Sequence, residues 1–162
     1  MLLTNHVLSG ALIGGLTRRP LPAFAAGIAS HFVLDAIPHW GVWGSRRRFL
    51  QVAVTDGLIS LAAMGAFAAV CPGDSRLAVL AGMSGAALPD IRQPTILWFG
   101  WSPFPGAVDR FHSRIQQEAP GRAHRELLAA GILACAALIV IRGSRPGVSR
   151  PPIAARPPRP VA

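Results

Sequence analysis

The chain has 162 residues, enough for one domain with a buried core, and 51% of them are hydrophobic while only 14% are charged. The mean hydropathy is +0.42, and apolar stretches recur along almost the whole length, a pattern typical of a small polytopic membrane protein rather than a soluble domain. All 16 basic residues are arginine and the pI is near 11.8. Nucleic-acid binding is nevertheless excluded as the primary function, because the arginines lie between the apolar stretches and in the tail rather than on one polar face.

Five apolar segments follow one another along the chain, at roughly 2–16, 21–40, 49–71, 77–98 and 126–141. A membrane-spanning helix needs about 20 apolar residues, with a range near 17–25. The second, third and fourth segments meet this length, whereas the first and fifth are short enough to be partial spans. The expected fold is therefore all-α: a polytopic membrane bundle of four to five helices formed by residues 1–141, located in the inner membrane.

An internal repeat is one interpretation of this order. Ala26-Gly27 precedes Asp35 by the same spacing as Ala81-Gly82 precedes Asp90, each pair in an even-numbered segment. The bundle would then consist of two parallel helical hairpins plus one further helix. Chance is the alternative, since Ala-Gly pairs are common in such a chain.

Small residues within the segments are expected to form helix–helix interfaces, because helices in lipid approach closely where side chains are small. The glycines concerned are Gly10, Gly14, Gly15, Gly27, Gly82 and Gly85. Between the fourth and fifth segments, residues 99–125 form a polar stretch interpreted as a loop. Residues 142–162 are rich in proline and arginine and are predicted to be disordered, either attracting anionic lipid headgroups or simply solvated.

The stretch from Ser30 to Trp40 places two histidines and a carboxylate inside an apolar run. His31 and Asp35 are four residues apart, so they lie on the same face of a helix. Pro38 is expected to kink or end that helix and to turn His39 toward the membrane interface. Ionisable groups are costly in a membrane-length apolar segment, which makes these residues candidates for function.

The topology predicts that other ionisable residues join this motif. If all five segments span, the chain alternates sides, and the relevant residues all lie toward one membrane face. They are His6, His31, Asp35, His39, Asp56, Asp90, His112 and His124.

Imidazole and carboxylate groups are the usual ligands of divalent metal ions. The predicted metal ligands are His6, His31, Asp35, Asp56 and Asp90. They would hold one ion or two, with zinc as the first expectation and manganese or iron as alternatives. His112 and His39 are the candidates for moving protons in catalysis.

Each of these residues also has a purely structural interpretation. His31 and Asp35 could be a hydrogen-bonded packing pair, Asp90 could cap the turn after Pro89, and His6 could be an interfacial residue.

At the level of function, three hypotheses stay open: a metal-dependent hydrolase acting on an ester or phosphoester, a non-catalytic scaffold held together by the His/Asp cluster, and an ion or proton conduit. A conduit would need polar groups in both leaflets, which the one-sided placement disfavours.

Arginines are numerous on the same predicted face. They include Arg46, Arg47, Arg48, Arg92, Arg110, Arg114, Arg122 and Arg125. A basic rim around a metal site favours an anionic or phosphorylated substrate, and membrane lipid is the other expected partner. The preference of arginine for the cytoplasmic side is the alternative explanation, and it favours a cytoplasmic location for the N-terminus and the site.

At these residues the chain resembles the predicted membrane-bound, metal-dependent hydrolases of the YdjM-like inner-membrane group. That group has a histidine at the start of an early helix, a Ser-His-x-x-x-Asp helix and a Leu-Pro-Asp-Ile turn. The counterparts here are His6, Ser30-His31 with Asp35, and the turn 88–91, within a resemblance that covers residues 1–116. The chain departs from the group at Arg92, where a second acid is usual, and in the order of the two main motifs. The resemblance implies a metal-dependent hydrolase.

Overall fold

The computed structural model describes residues 1–41 and 44–143, and this part of the chain is almost entirely helical. Its elements are α1 (Leu3–Thr17), α2 (Pro20–Asp35), β1 (His39–Trp40), α3 (Arg46–Val70), α4 (Gly73–Ala87), a 3-10 turn (Leu88–Ile91), α5 (Arg92–Phe99), α6 (Gly106–Ile115), β2 (Glu118–Ala119) and α7 (Ala123–Gly143). The predicted all-α fold is confirmed. The tail predicted to be disordered lies, from residue 144 onward, outside the described residues.

Helix α1 is at the centre of the bundle. It packs against α2, α3, α4 and α7, while α4 lies against both α1 and α2. Buried apolar side chains from α1, α3, α4 and α7, together with Cys71 just after α3, form the core: Val7, Leu8, Ala11, Phe67, Cys71, Val79, Met83, Ala137 and Ile141. Every α1 residue from Asn5 to Ala11 is buried, so both the apolar and the polar side chains of this helix need partners from its neighbours.

Glycines allow α1 and α2 to approach α4 closely, as the sequence predicted. A Cβ added at Gly10 or at Gly82 would collide with the backbone of the other residue. A Cβ at Gly85 would collide with the carbonyl oxygen of Phe24 on α2. Because the helices meet backbone to backbone at these points, polar residues near the ends of α1, α2 and α4 come within reach of one another.

Two prolines set where the helices stop. Helix α2 ends at Asp35, three residues before Pro38, because a proline disfavours helical geometry in the residue before it and supplies no N–H. The fourth apolar segment is likewise divided rather than continuous: α4 ends at Ala87, and Pro89 lies in the 3-10 turn that precedes α5. This interruption places Asp90 in a turn, where its side chain can leave the helix axis.

The polar stretch 99–125, interpreted as a loop, contains helix α6. The helix begins after Pro105, and Asp109 lies in its first turn, where a negative charge interacts favourably with the exposed N–H groups. His112 is the buried residue of this helix. The short parallel pairing of β1 with β2 then joins the end of α6 to the segment that follows α2.

Within residues 1–41 and 44–143, two helices are long and apolar enough to cross a membrane: α3 with 25 residues and α7 with 21. In each of them only 17% of the most apolar 18-residue window is buried. These two helices meet the requirement for a membrane span by their length and composition.

Candidate metal centre

Four side chains from three parts of the fold converge on one point. His31 and Asp35 come from the last turns of α2, Asp90 from the 3-10 turn, and His112 from α6. One potential ligand atom from each residue lies within 4.8 Å of all the others. The group therefore could hold a metal ion, and its members are separated by up to 81 residues in sequence.

Three of these atoms form a nearly equilateral triangle. Asp35 Oδ2 lies 3.1 Å from His31 Nε2 and 2.9 Å from His112 Nε2, and the two imidazole nitrogens are 3.1 Å apart. Ligands placed tetrahedrally around an ion at 2.0–2.1 Å are about 3.3 Å from each other. The observed sides are within a few tenths of an ångström of that spacing, and Asp90 Oδ1 lies farther out, 3.8 Å from His31 Nε2.

The tautomer of His31 follows from its other ring nitrogen. Nδ1 lies 2.8 Å from the carbonyl oxygen of Ala86, which only accepts hydrogen bonds, so Nδ1 carries the proton and donates it. A neutral His31 then presents the lone pair of Nε2 to the cluster. That lone pair faces the Asp35 carboxylate, a pairing that a second proton on His31, the Nε2–H of His112 or a metal ion would make attractive. The ammonium group of Met1 lies 2.8 Å from the other carboxylate oxygen, Asp35 Oδ1. A carbonyl that orients a histidine in this way is typical of metal ligands.

His6 adds a third imidazole from α1. Its ring stacks on that of His31 with centroids 4.0 Å apart, and its Nε2 lies 3.2 Å from Asp35 Oδ1 without the alignment of a hydrogen bond. His6 is fully buried, and among the described residues both of its ring nitrogens lack a hydrogen-bond partner. A buried polar group without a partner is costly, so the predicted ligand role of His6 stays a prediction that this position is compatible with.

Backbone contacts hold α6 against the end of α2. The N–H of Gln117 donates to the carbonyl oxygen of Asp35 at 3.2 Å, and the N–H of His39 donates to the carbonyl oxygen of Gln117 at 3.0 Å. The Gln116 side chain, one turn after His112, lies 3.3 Å from His112 Nε2 and 3.5 Å from Asp35 Oδ2. These contacts fix the direction of His112 without constraining the other face of α6.

His39 does not join the four converging residues. It is buried, and its Nδ1 donates to the carbonyl oxygen of Ile37 at 2.8 Å, which leaves a lone pair on Nε2. That Nε2 lacks a hydrogen-bond partner among the described residues. The predicted role of His39 in moving protons stays a prediction.

Asp56, predicted as a ligand, lies instead at the N-terminus of α1. Its carboxylate accepts hydrogen bonds from the N–H of Leu3 at 2.6 Å, from the N–H of Thr4 at 3.2 Å and from the Thr4 hydroxyl at 2.5 Å. The first N–H groups of a helix have no partner within it, and α1 has no cap from its own side chains. Asp56 therefore caps α1 from α3.

Glu126 on α7 also accepts hydrogen bonds from the start of α1, although nothing in its sequence context singles it out. Its side chain accepts from the N–H of Leu2 at 3.1 Å, from Asn5 Nδ2 at 2.7 Å and from the N–H of Trp40 at 3.1 Å. Glu126 is 2% exposed. Only the three-dimensional arrangement shows this role, because Glu126 is far from α1 in sequence.

The cluster reaches the surface on one side. Asp35 and His31 are fully buried, whereas the Asp90 side chain is 21% exposed and His112 is 7% exposed. The exposed part of the cluster therefore faces the side of the 3-10 turn and α6.

No family model, curated protein or solved structure matches the chain.

Proposed function

We infer that this is a multi-pass inner-membrane protein whose His/Asp cluster binds a divalent metal ion, zinc before manganese or iron, and hydrolyses an ester or phosphoester. The observation that carries the inference is the triangle of His31 Nε2, His112 Nε2 and Asp35 Oδ2, with sides of 2.9–3.1 Å, in which the only proton of a neutral His31 is engaged by Ala86. His31, Asp35, Asp90 and His112 would be the ligands, with His6 beside them.

The surfaces of α3 and α7 support a location in the membrane. Large apolar side chains on these helices are mostly exposed: Val54, Leu58, Ile59, Leu61, Leu127, Leu128, Ile132 and Ile139 are between 52% and 72% exposed. At 1.5 Å per residue the helices are about 37 and 31 Å long, which matches the roughly 30 Å thickness of the hydrocarbon core. In water, such continuous apolar faces would lead to aggregation. The shorter α1, α2 and α4 would lie in the same layer, shielded in part by their neighbours.

A metal ion in such a site activates water and stabilises the charge that develops on the substrate. Hydrolysis adds that water across the ester: its oxygen forms a bond to the acyl carbon or the phosphorus, the ester bond breaks, and a proton reaches the leaving oxygen. His6 is placed to accept the first proton, since its Nε2 lacks a hydrogen-bond partner in the described part of the chain and lies 3.2 Å from Asp35 Oδ1. Because His112 would be a ligand, the proton taken up by His6 is the one returned to the leaving oxygen.

The resemblance to the YdjM-like group agrees with this proposal at specific residues. The Ser-His-x-x-x-Asp helix and the Leu-Pro-Asp-Ile turn are far apart in sequence, yet His31 Nε2 and Asp90 Oδ1 lie 3.8 Å apart. Both motifs therefore contribute to one site.

A scaffold is the competing proposal, since the contacts of Asp35 with His31 and His112 also join α2 to α6. Metal analysis separates the two functions. The protein is purified in detergent without chelators, beside Asp35→Asn, His31→Ala and the control His124→Ala, which removes an exposed histidine on α7. We expect about one ion per chain in the wild type and the control, and loss of the ion from both cluster variants while circular dichroism still reports a helical fold. A wild-type protein without a stoichiometric ion contradicts the metal site and favours the scaffold.

A further inference from the structure

A second feature lies on α6 and the start of α5: an open groove of about 390 Å³ lined by Arg92, Asp109, Arg110, Ser113 and Arg114. Ligand sites are typically roughly 300–1,000 Å³ in volume, so the groove is large enough for a small polar group and part of what it is attached to. Arg92 begins α5, directly after the turn that carries Asp90, and the other four residues lie on α6, the helix of His112.

Helical geometry places the two arginines of α6 on the far side of this helix from the cluster. His112 and Gln116 face Asp35, and residues advance by 100° around a helix. Arg110 and Arg114 each lie two residues from His112, about 160° around the helix, so they lie on the opposite face. On the other wall, Arg92 follows Asp90 by two residues. The groove is therefore a site separate from the cluster.

The charge of the groove suits a phosphate group. Three guanidinium groups face one carboxylate, which leaves two positive charges, and a phosphate monoester carries about −1.5 to −2 at neutral pH. Asp109 Oδ1 lies 3.1 Å from Arg92 Nε and accepts a hydrogen bond from the Ser102 hydroxyl at 3.0 Å, so it positions Arg92. Arg110 and Arg114 are exposed, and neither forms an ion pair within the described part of the chain, so their planar donor groups are available to phosphate oxygens.

Exposed aromatic side chains on the elements that form the groove indicate that the phosphate belongs to a lipid. Trp98, Phe99, Trp101 and Phe111 are between 51% and 68% exposed. They lie on α5, on α6 and in the connection between these helices. Tryptophan and phenylalanine beside arginine are typical of segments that lie at the level of lipid headgroups. A free phosphate ion would gain nothing from this aromatic surface.

We propose that the groove formed by Arg92, Arg110 and Arg114 binds the phosphate monoester of a phospholipid such as phosphatidic acid and thereby holds α6 at the level of the lipid headgroups. The proposal rests on the proposed function for the location in the membrane, and it goes beyond that function by assigning a lipid site separate from the metal centre. Asp109 and Ser113 complete the groove, with Asp109 positioning Arg92.

Binding of short-chain lipids to the detergent-purified full chain tests this proposal. Dioctanoyl phosphatidic acid is titrated by calorimetry beside three probes: dioctanoylglycerol, which lacks the phosphate; decanoate, an anionic lipid without phosphate; and inorganic phosphate. The double variant Arg110→Gln/Arg114→Gln is compared with Arg47→Gln/Arg48→Gln, which removes the same charge from exposed residues at the start of α3. We expect phosphatidic acid to bind at least about tenfold more weakly to the groove variant, and unchanged to the control.

Equal binding of phosphatidic acid to the wild type and the groove variant would overturn the proposal, and so would an equal loss of binding in the control variant, which indicates general charge attraction. Binding of dioctanoylglycerol, decanoate or inorganic phosphate that is as tight as that of phosphatidic acid would also overturn it. Metal content is measured on every sample. Lipid binding lost in the groove variant of a protein without metal supports the groove and contradicts the hydrolase, whereas normal lipid binding by a metal-containing groove variant contradicts the groove alone.

Discussion

The Nε2 atoms of His31 and His112 lie 3.1 Å apart, although 81 residues separate the two histidines in the chain. Asp35 Oδ2 lies within 3.1 Å of both. Since the proton on His31 Nδ1 is donated to Ala86, a neutral His31 contributes only a lone pair to this contact, as a metal ligand does.

Removal of the metal should destabilise the wild-type protein. A ligand that binds only the folded state at 100 times its Kd adds about 2.7 kcal/mol to the free energy of unfolding. We expect a strong chelator to lower the Tm by roughly 5–10 °C in the wild type and in His124→Ala, and by nothing measurable in Asp35→Asn. Equal effects of the chelator on the wild type and on Asp35→Asn would mean that it acts elsewhere.

Asp56→Ala should destabilise the protein and leave the metal in place. The substitution removes the acceptor for the N–H groups of Leu3 and Thr4, and loss of such a cap costs about 2 kcal/mol. Thermal unfolding and metal content are measured together, with Asp74→Asn, an exposed acid in the first turn of α4, as the control for lost charge. A folded Asp56→Ala protein without metal would show that Asp56 is a ligand after all.

Gly82→Ala should cost about 1–3 kcal/mol, because the added methyl group collides with the carbonyl oxygen of Gly10 and separates α1 from α4. Gly131→Ala is the matched control on α7, where a Cβ meets nothing within 4 Å. It should be neutral or gain up to about 1 kcal/mol from reduced flexibility of the unfolded chain. Similar stabilities for the two variants would contradict the close α1–α4 packing.

Ile132→Arg should reduce insertion into the membrane, since Ile132 is 60% exposed near the middle of α7. Arginine at the centre of a spanning helix costs about 2.5–3.5 kcal/mol on the scale of cellular insertion. The measurement is the fraction of full-length protein that stays in the membrane after alkaline extraction, with Ile132→Leu as the control. An unchanged fraction for the arginine variant would argue against α7 as a span.

Much of the fold follows from local patterns in the sequence. Apolar segments predict α1, α3 and α7, the prolines explain the ends of α2 and α4, and the glycines identify the close helix contacts. Helix α6 was missed because its amphipathic pattern is short and lies within a polar stretch. Spacing also identifies His31 with Asp35, since residues four apart share a helix face.

The sequence does not predict whether a single acid in an apolar segment joins the His/Asp cluster or caps a helix. Asp56 and Asp90 are both single acids in apolar surroundings, yet Asp56 caps α1 while Asp90 faces His31. The difference depends on which helix ends meet in space, and neither residue has a local signal for it. Gln116 did carry such a signal, because it lies one turn after His112 on the same face of a helix.

X-ray absorption spectroscopy at the edge of the bound metal tests the central claim most directly. On protein purified without chelators, the account predicts nitrogen and oxygen ligands at about 2.0–2.1 Å with the multiple scattering of at least two imidazoles. In His31→Ala the imidazole scattering should decrease, while His124→Ala should give the wild-type spectrum. A protein with no bound metal, or a metal surrounded only by oxygen ligands without imidazole scattering, would contradict the metal centre.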